Sequence, residues 1–191
     1  DVVEKDCGQY DTITEVMWVT GAALFIRLAD YREVGGLDGH FFAHMEEIDL
    51  CWRLRSRGKK LVCIPQSVVY HVGGATLKKE NPRKTFLNFR NNLLMLYKNL
   101  PDKELEHVLF IRGILDRVAA LVFYLKKDRA NARAVMQARR EFEDIRYSFA
   151  ASRIENMMKS TDEIIPERTH FSIVMKYYLL GKKHFSQLKL F

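Results

Sequence analysis

The sequence predicts an α/β unit followed by an α-helical extension. Three observations carry this reading. Short apolar, β-branched runs punctuated by Gly and Pro occupy the chain up to Pro82, long stretches of helical periodicity follow, and the charge changes sign at the same point. Residues 1–82 hold ten basic and twelve acidic side chains, a net of −2, whereas residues 83–191 hold twenty-one and twelve, a net of +9. The two parts are therefore read as separate units, 1–82 and 83–191. With 48% hydrophobic and 29% charged residues, a core can form and wholesale disorder is excluded.

Each element has a local reason. The run from Val16 to Ile26 is apolar and β-branched before it turns Ala-rich, which predicts a buried strand, with Gly21 marking a close backbone approach or a bulge. A short helix over Leu28–Val34 stops at Gly35-Gly36, and Leu37 to His40 is a loop. A second helix runs from Glu46 to Arg57, with Gly58 as its stop. Two short strands, Lys60–Ile64 and Ser67–Val72, are separated by Pro65-Gln66, and a loop covers Gly73–Pro82.

Beyond this loop the periodicity is helical throughout. Helices are expected over Arg83–Leu100, Asp102–Lys127 and Arg129–Met158, with Pro101-Asp102 ending the first and capping the second. A last amphipathic helix runs from Ile173 to the end, with Gly181 a candidate break. Val108–Leu125 is apolar enough to test as a membrane span. Arg112, Asp116 and Arg117 interrupt it, each at a cost of about 2.5–3.5 kcal/mol at a bilayer centre, so it reads as an amphipathic or buried helix.

The three cysteines, Cys7, Cys51 and Cys63, form no closely spaced pair. That argues against a zinc site and a disulfide framework and fits a reducing cytoplasm. The polar opening from Asp1 to Asp11 does not read as a signal segment.

The chemistry concentrates between Gly35 and Gly74. Glu46, Glu47 and Asp49 fall in the first turn of a helix, where acidic residues satisfy the macrodipole, so capping alone accounts for them. The alternative is that one carboxylate projects into a cleft as a general base, its pKa raised by crowding. Asp49 and Arg53 are spaced i,i+4 and suit a pair that orients the helix. His71, at a strand end before Val72-Gly73-Gly74, is a candidate metal ligand against a structural reading.

Five motifs occur in order: W-V-T-G-A-A from Trp18, G-G-L-D-x-x-F-F from Gly35, E-E-I-D-L-x-x-R from Glu46, G-K-K-L from Gly58, and P-x-x-V-V-Y-H from Pro65. Together they resemble family 2 glycosyltransferases, especially rhamnosyltransferase-like members that build bacterial surface polysaccharides, over roughly residues 16–100. The resemblance implies the C-terminal half of a GT-A catalytic domain, with a nucleotide-sugar donor and a divalent metal, Mg²⁺ or Mn²⁺. It implies inverting, in-line attack by an acceptor hydroxyl, the acceptor being a saccharide or lipid-linked. The family's acidic pair falls on Glu46 and Glu47. Glu47 is then the expected base, although it stands where Asp is common in the family. Asp49 and Arg53 would support it, and His71 would complete the metal shell. Trp18, Thr20 and Gly21 match the segment lining the acceptor side. Asp38 falls where the family's turn either holds the loop or touches acceptor. The family's nucleotide-binding half with its Asp-x-Asp does not occur in this sequence, so the chain alone is expected to lack a complete donor site.

The basic, aromatic-rich residues 83–191 suit a helical bundle with aromatics inward. Lys176–Phe191 is expected to be an interfacial helix on an anionic membrane, placing the protein in the cytoplasm and peripherally on the inner face of the cell membrane. A nucleic-acid-binding module lacks any groove-reading motif, so no nucleic-acid partner is expected. A non-catalytic interaction module and a metal hydrolase are the remaining alternatives, and the hydrolase lacks an H-E-x-x-H spacing.

Overall fold

The computed structural model describes residues 4–71, 81–161, 165–169 and 171–188. Its sheet is minimal: β1 (Thr14–Glu15) pairs antiparallel with β2 (Val62–Cys63), Thr14 opposite Cys63 and Glu15 opposite Val62. One further rung follows, where the Val16 amide donates to the Leu61 carbonyl at 2.9 Å.

The strand expected over Val16–Ile26 does not form. Thr20 turns its hydroxyl to accept from the Ala22 amide at 3.4 Å and caps a 3₁₀ turn at Gly21–Ala23. A local side-chain bond of this kind competes with ladder pairing. The expected strands Lys60–Ile64 and Ser67–Val72 are likewise cut back. Only Val62–Cys63 pairs, residues 67–71 run without strand structure, and Val72 lies outside the described residues. A strand requires a hydrogen-bonded neighbour, and the described residues supply only the β1–β2 pair.

The helices follow the sequence more closely. α1 (Leu28–Glu33) ends as expected at Gly35 and Gly36, both left-handed at φ 84° and 69°. At Gly36 a side chain would also meet the Tyr31 ring, 2.8 Å from a built Cβ. α2 (Glu46–Ser56) is preceded by a 3₁₀ turn at Gly39–Phe41 inside the expected loop. α3 (Pro82–Asn99) has Pro82 in its first turn and the Asn81 side chain accepting from the Arg83 amide at 2.9 Å; residues 73–80 of the expected loop lie outside the described residues. α4 (Asp102–Leu125) follows, with Pro101 rather than Asp102 in the cap position and no side-chain cap bond.

The single helix expected over Arg129–Met158 is two. α5 (Arg129–Ile145), capped by Asp128, passes through a 3₁₀ turn at Arg146–Phe149 into α6 (Ala150–Met158). Ser148 donates back to the Ile145 carbonyl at 2.6 Å, and Phe149 turns into the core with an edge contact to His40. The terminal helix is also shorter than expected: α7 covers Ile173–Tyr178, Gly181 is left-handed, and a 3₁₀ turn follows at Phe185–Leu188.

One core crosses the change in composition at Pro82. Phe41 and Trp52 pack with Leu93, Leu94, Tyr97, Phe142 and Phe149 from the helical part. α2 is enclosed: Asp49 through Ser56 are all buried. The basic helices are thus the wall against which the motif-bearing segment folds.

Candidate functional site

The segment leading into α2 is held in an unfavourable backbone conformation. Phe42, His44 and Met45 have φ of 61°, 71° and 74°, and such non-glycine residues cost on the order of 1–3 kcal/mol each. The fully buried Asn91 of α3 offsets this. Its amide nitrogen donates to the carbonyls of Phe41, Ala43 and His44 at 2.8, 2.9 and 2.8 Å. Its oxygen accepts from the Arg90 guanidinium at 3.0 and 2.8 Å, and Arg90 also donates to the His40 carbonyl at 2.9 Å. α3 therefore fixes the angle at which α2 begins.

A second tie lies one turn further along. Asp49 is fully buried, with one oxygen accepting from Arg53 Nε (3.0 Å), Arg53 Nη2 (2.8 Å) and Lys98 Nζ (3.0 Å), and the other from Asn99 (2.7 Å). Arg53 spends its remaining donors on the carbonyls of Val34 and Gly36. Asp49, grouped on sequence with the catalytic candidates, therefore has both oxygens occupied by this network. Arg53, expected on sequence to support Glu47, is buried in the same network.

Asp38 accepts from the His40 amide (3.0 Å) and from Lys98 Nζ (2.8 Å). Burial pushes its carboxyl up, but the Lys98 ammonium and the His40 amide prevail and hold it at about 2. Of the two roles open to Asp38, the geometry carries the one that holds the loop. A cavity of about 720 Å³ lies beside this network, lined by Asp38, His40, Arg53, Arg57, Lys98 and Glu155 among others. Glu46 and Glu47 do not line it; within it Asp38 pairs with Lys98 and His40, while Arg53 pairs with Asp49 and Glu155 with Lys159, both outside the lining.

Glu46 and Glu47 differ from Asp49. Each has a buried carboxylate oxygen, Oε2, without a hydrogen-bond partner among the described residues, and so does Nε2 of His44. Burial pushes the Glu47 carboxyl up and the Glu46 charge adds to this, against the backbone amides of Glu47 and Ile48 and the His44 imidazole. A half-buried carboxylate with a raised pKa and an unpartnered oxygen, as at Glu47, suits proton abstraction.

Gly21 faces Glu47, whose Cβ a side chain built on the glycine would meet at 3.6 Å. Trp18 and Thr20, in the residues leading into the 3₁₀ turn at Gly21–Ala23, are exposed. Val19 hydrogen-bonds through its backbone with Cys51, whose thiol burial pushes up. The W-V-T-G motif and the E-E-I-D motif, 28 positions apart from Trp18 to Glu46, are therefore brought together.

His71 is not brought to this group. It is exposed at the end of a described stretch, and among the described residues no group of three or more His, Cys, Asp or Glu is arranged to hold a metal ion. The described residues do not by themselves build a metal site.

Sequence reasoning missed His44, Asn91 and Lys98. His44 sits two positions before Glu46, where the i,i+3/i+4 rule for helices gives no contact. Asn91 and Lys98 carried a faint signal, as polar residues on the apolar stripe of α3 among Leu87, Leu94 and Met95.

An unpaired acidic pair at a helix start, packed under an exposed Trp-Val-Thr-Gly segment, is the candidate site of a glycosyltransferase-related chain, and sequence comparison supports that class. The chain is 31% identical over 141 residues, 68% of its own length and 29% of the relative's, to the pre-mycofactocin glycosyltransferase of Mycobacterium tuberculosis. It is 32% identical over 69 residues to the rhamnosyltransferase WbbL of Escherichia coli K12, covering 36% of this chain and 25% of that one. It is 38% identical over 56 residues to the N-acetylglucosaminyl-diphospho-decaprenol L-rhamnosyltransferase of M. tuberculosis, covering 29% of this chain and 18% of that one. The chain therefore spans less than a third of the length of these curated relatives. No protein-family model and no solved structure matches it.

Proposed function

We propose that this chain forms the acceptor-side, base-bearing half of a GT-A domain in an inverting glycosyltransferase of the rhamnosyl or hexosyl type. The donor is a nucleotide sugar, and the acceptor is a saccharide or a lipid-linked saccharide of surface polysaccharide synthesis. The supporting observation is Glu47: a half-buried carboxylate with a raised pKa and an unpartnered oxygen, seated against Gly21 beside an exposed Trp18. In the step, Glu47 takes the proton of an acceptor hydroxyl as that oxygen attacks the anomeric carbon. The bond from that carbon to the nucleoside diphosphate breaks, the electron pair leaves with the diphosphate, and the anomeric configuration inverts.

Glu46 keeps Glu47 basic by charge repulsion, and Trp18 and Thr20 meet the acceptor. Mg²⁺ or Mn²⁺ would need ligands from beyond the residues described, with His71 a candidate ligand from this chain. The test is nucleoside diphosphate release across a panel of donors by the protein that carries this chain, with Mn²⁺ and lipid-linked acceptor, against Glu47→Gln. A loss of about a hundredfold or more supports the base assignment. Undiminished release removes Glu47 from that role, and no release with any donor favours a non-catalytic module.

A further inference from the structure

α4 buries Asp116 beside Leu105, Leu109 and Ala120 and leaves a second apolar stripe outward, bordered by the exposed Arg117. Asp116, 1% exposed, faces the bundle and is paired with Arg112 at 2.7 Å and Arg139 at 2.8 Å. On the opposite side Phe110, Ile114, Val118, Leu121 and Leu125 are all exposed, between 49 and 71%. Their spacing lines one helix face over about 22 Å. Monomeric soluble proteins rarely leave so continuous an apolar stripe in water. No helix among the described residues is long and apolar enough to cross a membrane, so this stripe lies along a surface rather than through one.

The border of the stripe shows what covers it. A groove of about 780 Å³ between α4 and α5 joins Leu121, Tyr124 and Met136 to three exposed arginines, Arg129, Arg133 and Arg140. Arg129 lies over the Tyr124 ring at 5.9 Å. Residues 107–140 carry eight basic and two acidic side chains, one of them the internally paired Asp116. A second copy of this chain seated on the stripe would bring two such basic surfaces together, which is unfavourable. A duplex or single-stranded nucleic acid would meet the arginines but leave the aliphatic stripe in water.

We propose that the α4–α5 face docks on an anionic lipid bilayer, with Phe110 to Leu125 entering the headgroup–acyl boundary and Arg129, Arg133 and Arg140 on lipid phosphates. This differs from the sequence expectation, which put the membrane contact on Lys176–Phe191. There the helix is only Ile173–Tyr178, and Lys176 is turned back over the Phe171 ring at 3.3 Å and onto the Leu188 carbonyl at 3.1 Å. The inference rests on exposure and charge alone and stands independently of the transferase reading.

The test is flotation of the full chain with phosphatidylglycerol-containing and with pure phosphatidylcholine vesicles. The wild type floats with the anionic vesicles. The exposed double variant V118E/L121E retains its helical circular dichroism and loses binding by about tenfold or more. The triple variant R129Q/R133Q/R140Q loses about fivefold per arginine on anionic vesicles only. A chain ending at Met175 binds as the wild type does. Absence of wild-type flotation overturns the proposal, as does binding that survives both variants but is lost on truncation. A dimer in solution that V118E/L121E dissociates, without vesicle binding, assigns the stripe to a second copy instead. Binding to a labelled oligonucleotide without vesicle binding assigns the arginines to nucleic acid.

Discussion

A methyl group built on Gly21 would sit 3.6 Å from Cβ of Glu47 and 3.9 Å from its Cγ. An alanine methyl at this position would therefore make ordinary van der Waals contact with the stem of the acidic side chain. Gly21→Ala fills the remaining space without displacement, whereas Gly21→Val has branches that push Glu47 aside. The expected outcome is near wild-type turnover for Gly21→Ala and a fall of about tenfold or more in kcat/KM for Gly21→Val, since small displacements of a reacting group are costly. Thermal midpoints of both variants remain close to that of the wild type, because Gly21 is exposed.

Glu47→Gln separates stability from activity. A carboxyl whose folded pKa lies above its ordinary value of 4.5 binds a proton in the native chain that the unfolded chain releases. Stability therefore falls as pH rises through the window above 4.5, and ionised Glu47 is a net cost at neutral pH. The amide removes that cost. At pH 7 the variant's thermal midpoint rises by about 2 °C while sugar transfer is lost, and its stability advantage shrinks toward pH 4.5. Calorimetry across pH reads both effects.

Asn91→Ala releases the three carbonyls it holds and the strain at Phe42, His44 and Met45 together. Loss of about 2–4 kcal/mol is expected, measured as a lower urea midpoint. Asn91→Asp is worse than Asn91→Ala, because a carboxylate there faces carbonyl oxygens instead of donating to them.

The helical half of this architecture was legible because its signals are local. Gly35-Gly36 and Gly58 as stops, and Pro101 as a break, act within one turn, whereas the caps at Asn81 and Asp128 came only with the coordinates. The strands were not legible, because a strand exists only with its neighbour. The apolar run from Val16 onward has the composition of a strand but, beyond Val16, finds no partner among the described residues, and Thr20 bends it into a turn. The pairing of Asp49 with Arg53 was readable from i,i+4 spacing. That Lys98 and Asn99 close on the same carboxylate was not, since 49 and 50 residues separate them. Glu47 emerged from motif order; His44 and its unpartnered nitrogen needed coordinates.

Lys98→Met leaves Asp38 and Asp49 without their shared cation in a buried setting. A loss of about 3–5 kcal/mol is expected in chemical denaturation. Asp38 also sets an acid limb. Its folded pKa of about 2 lies below the ordinary 3.8, so its contribution is full above pH 4 and is lost as pH falls toward 2. Asp38→Asn removes that part of the acid transition, which a pH-dependent fluorescence titration of Trp52 follows.

The enclosure of α2 by helices far along the chain limits how this protein can be recombined. A crossover at Pro82 looks safe on composition, yet it would join the Asp49 of one parent to the Lys98, Asn99 and Asn91 of another. The unit that has to move whole is instead the block from Asp38 to Asn156, whose side chain still reaches the Lys98 carbonyl at 3.2 Å. Chimeras cut inside that block would inherit motifs intact in sequence and misaligned in space.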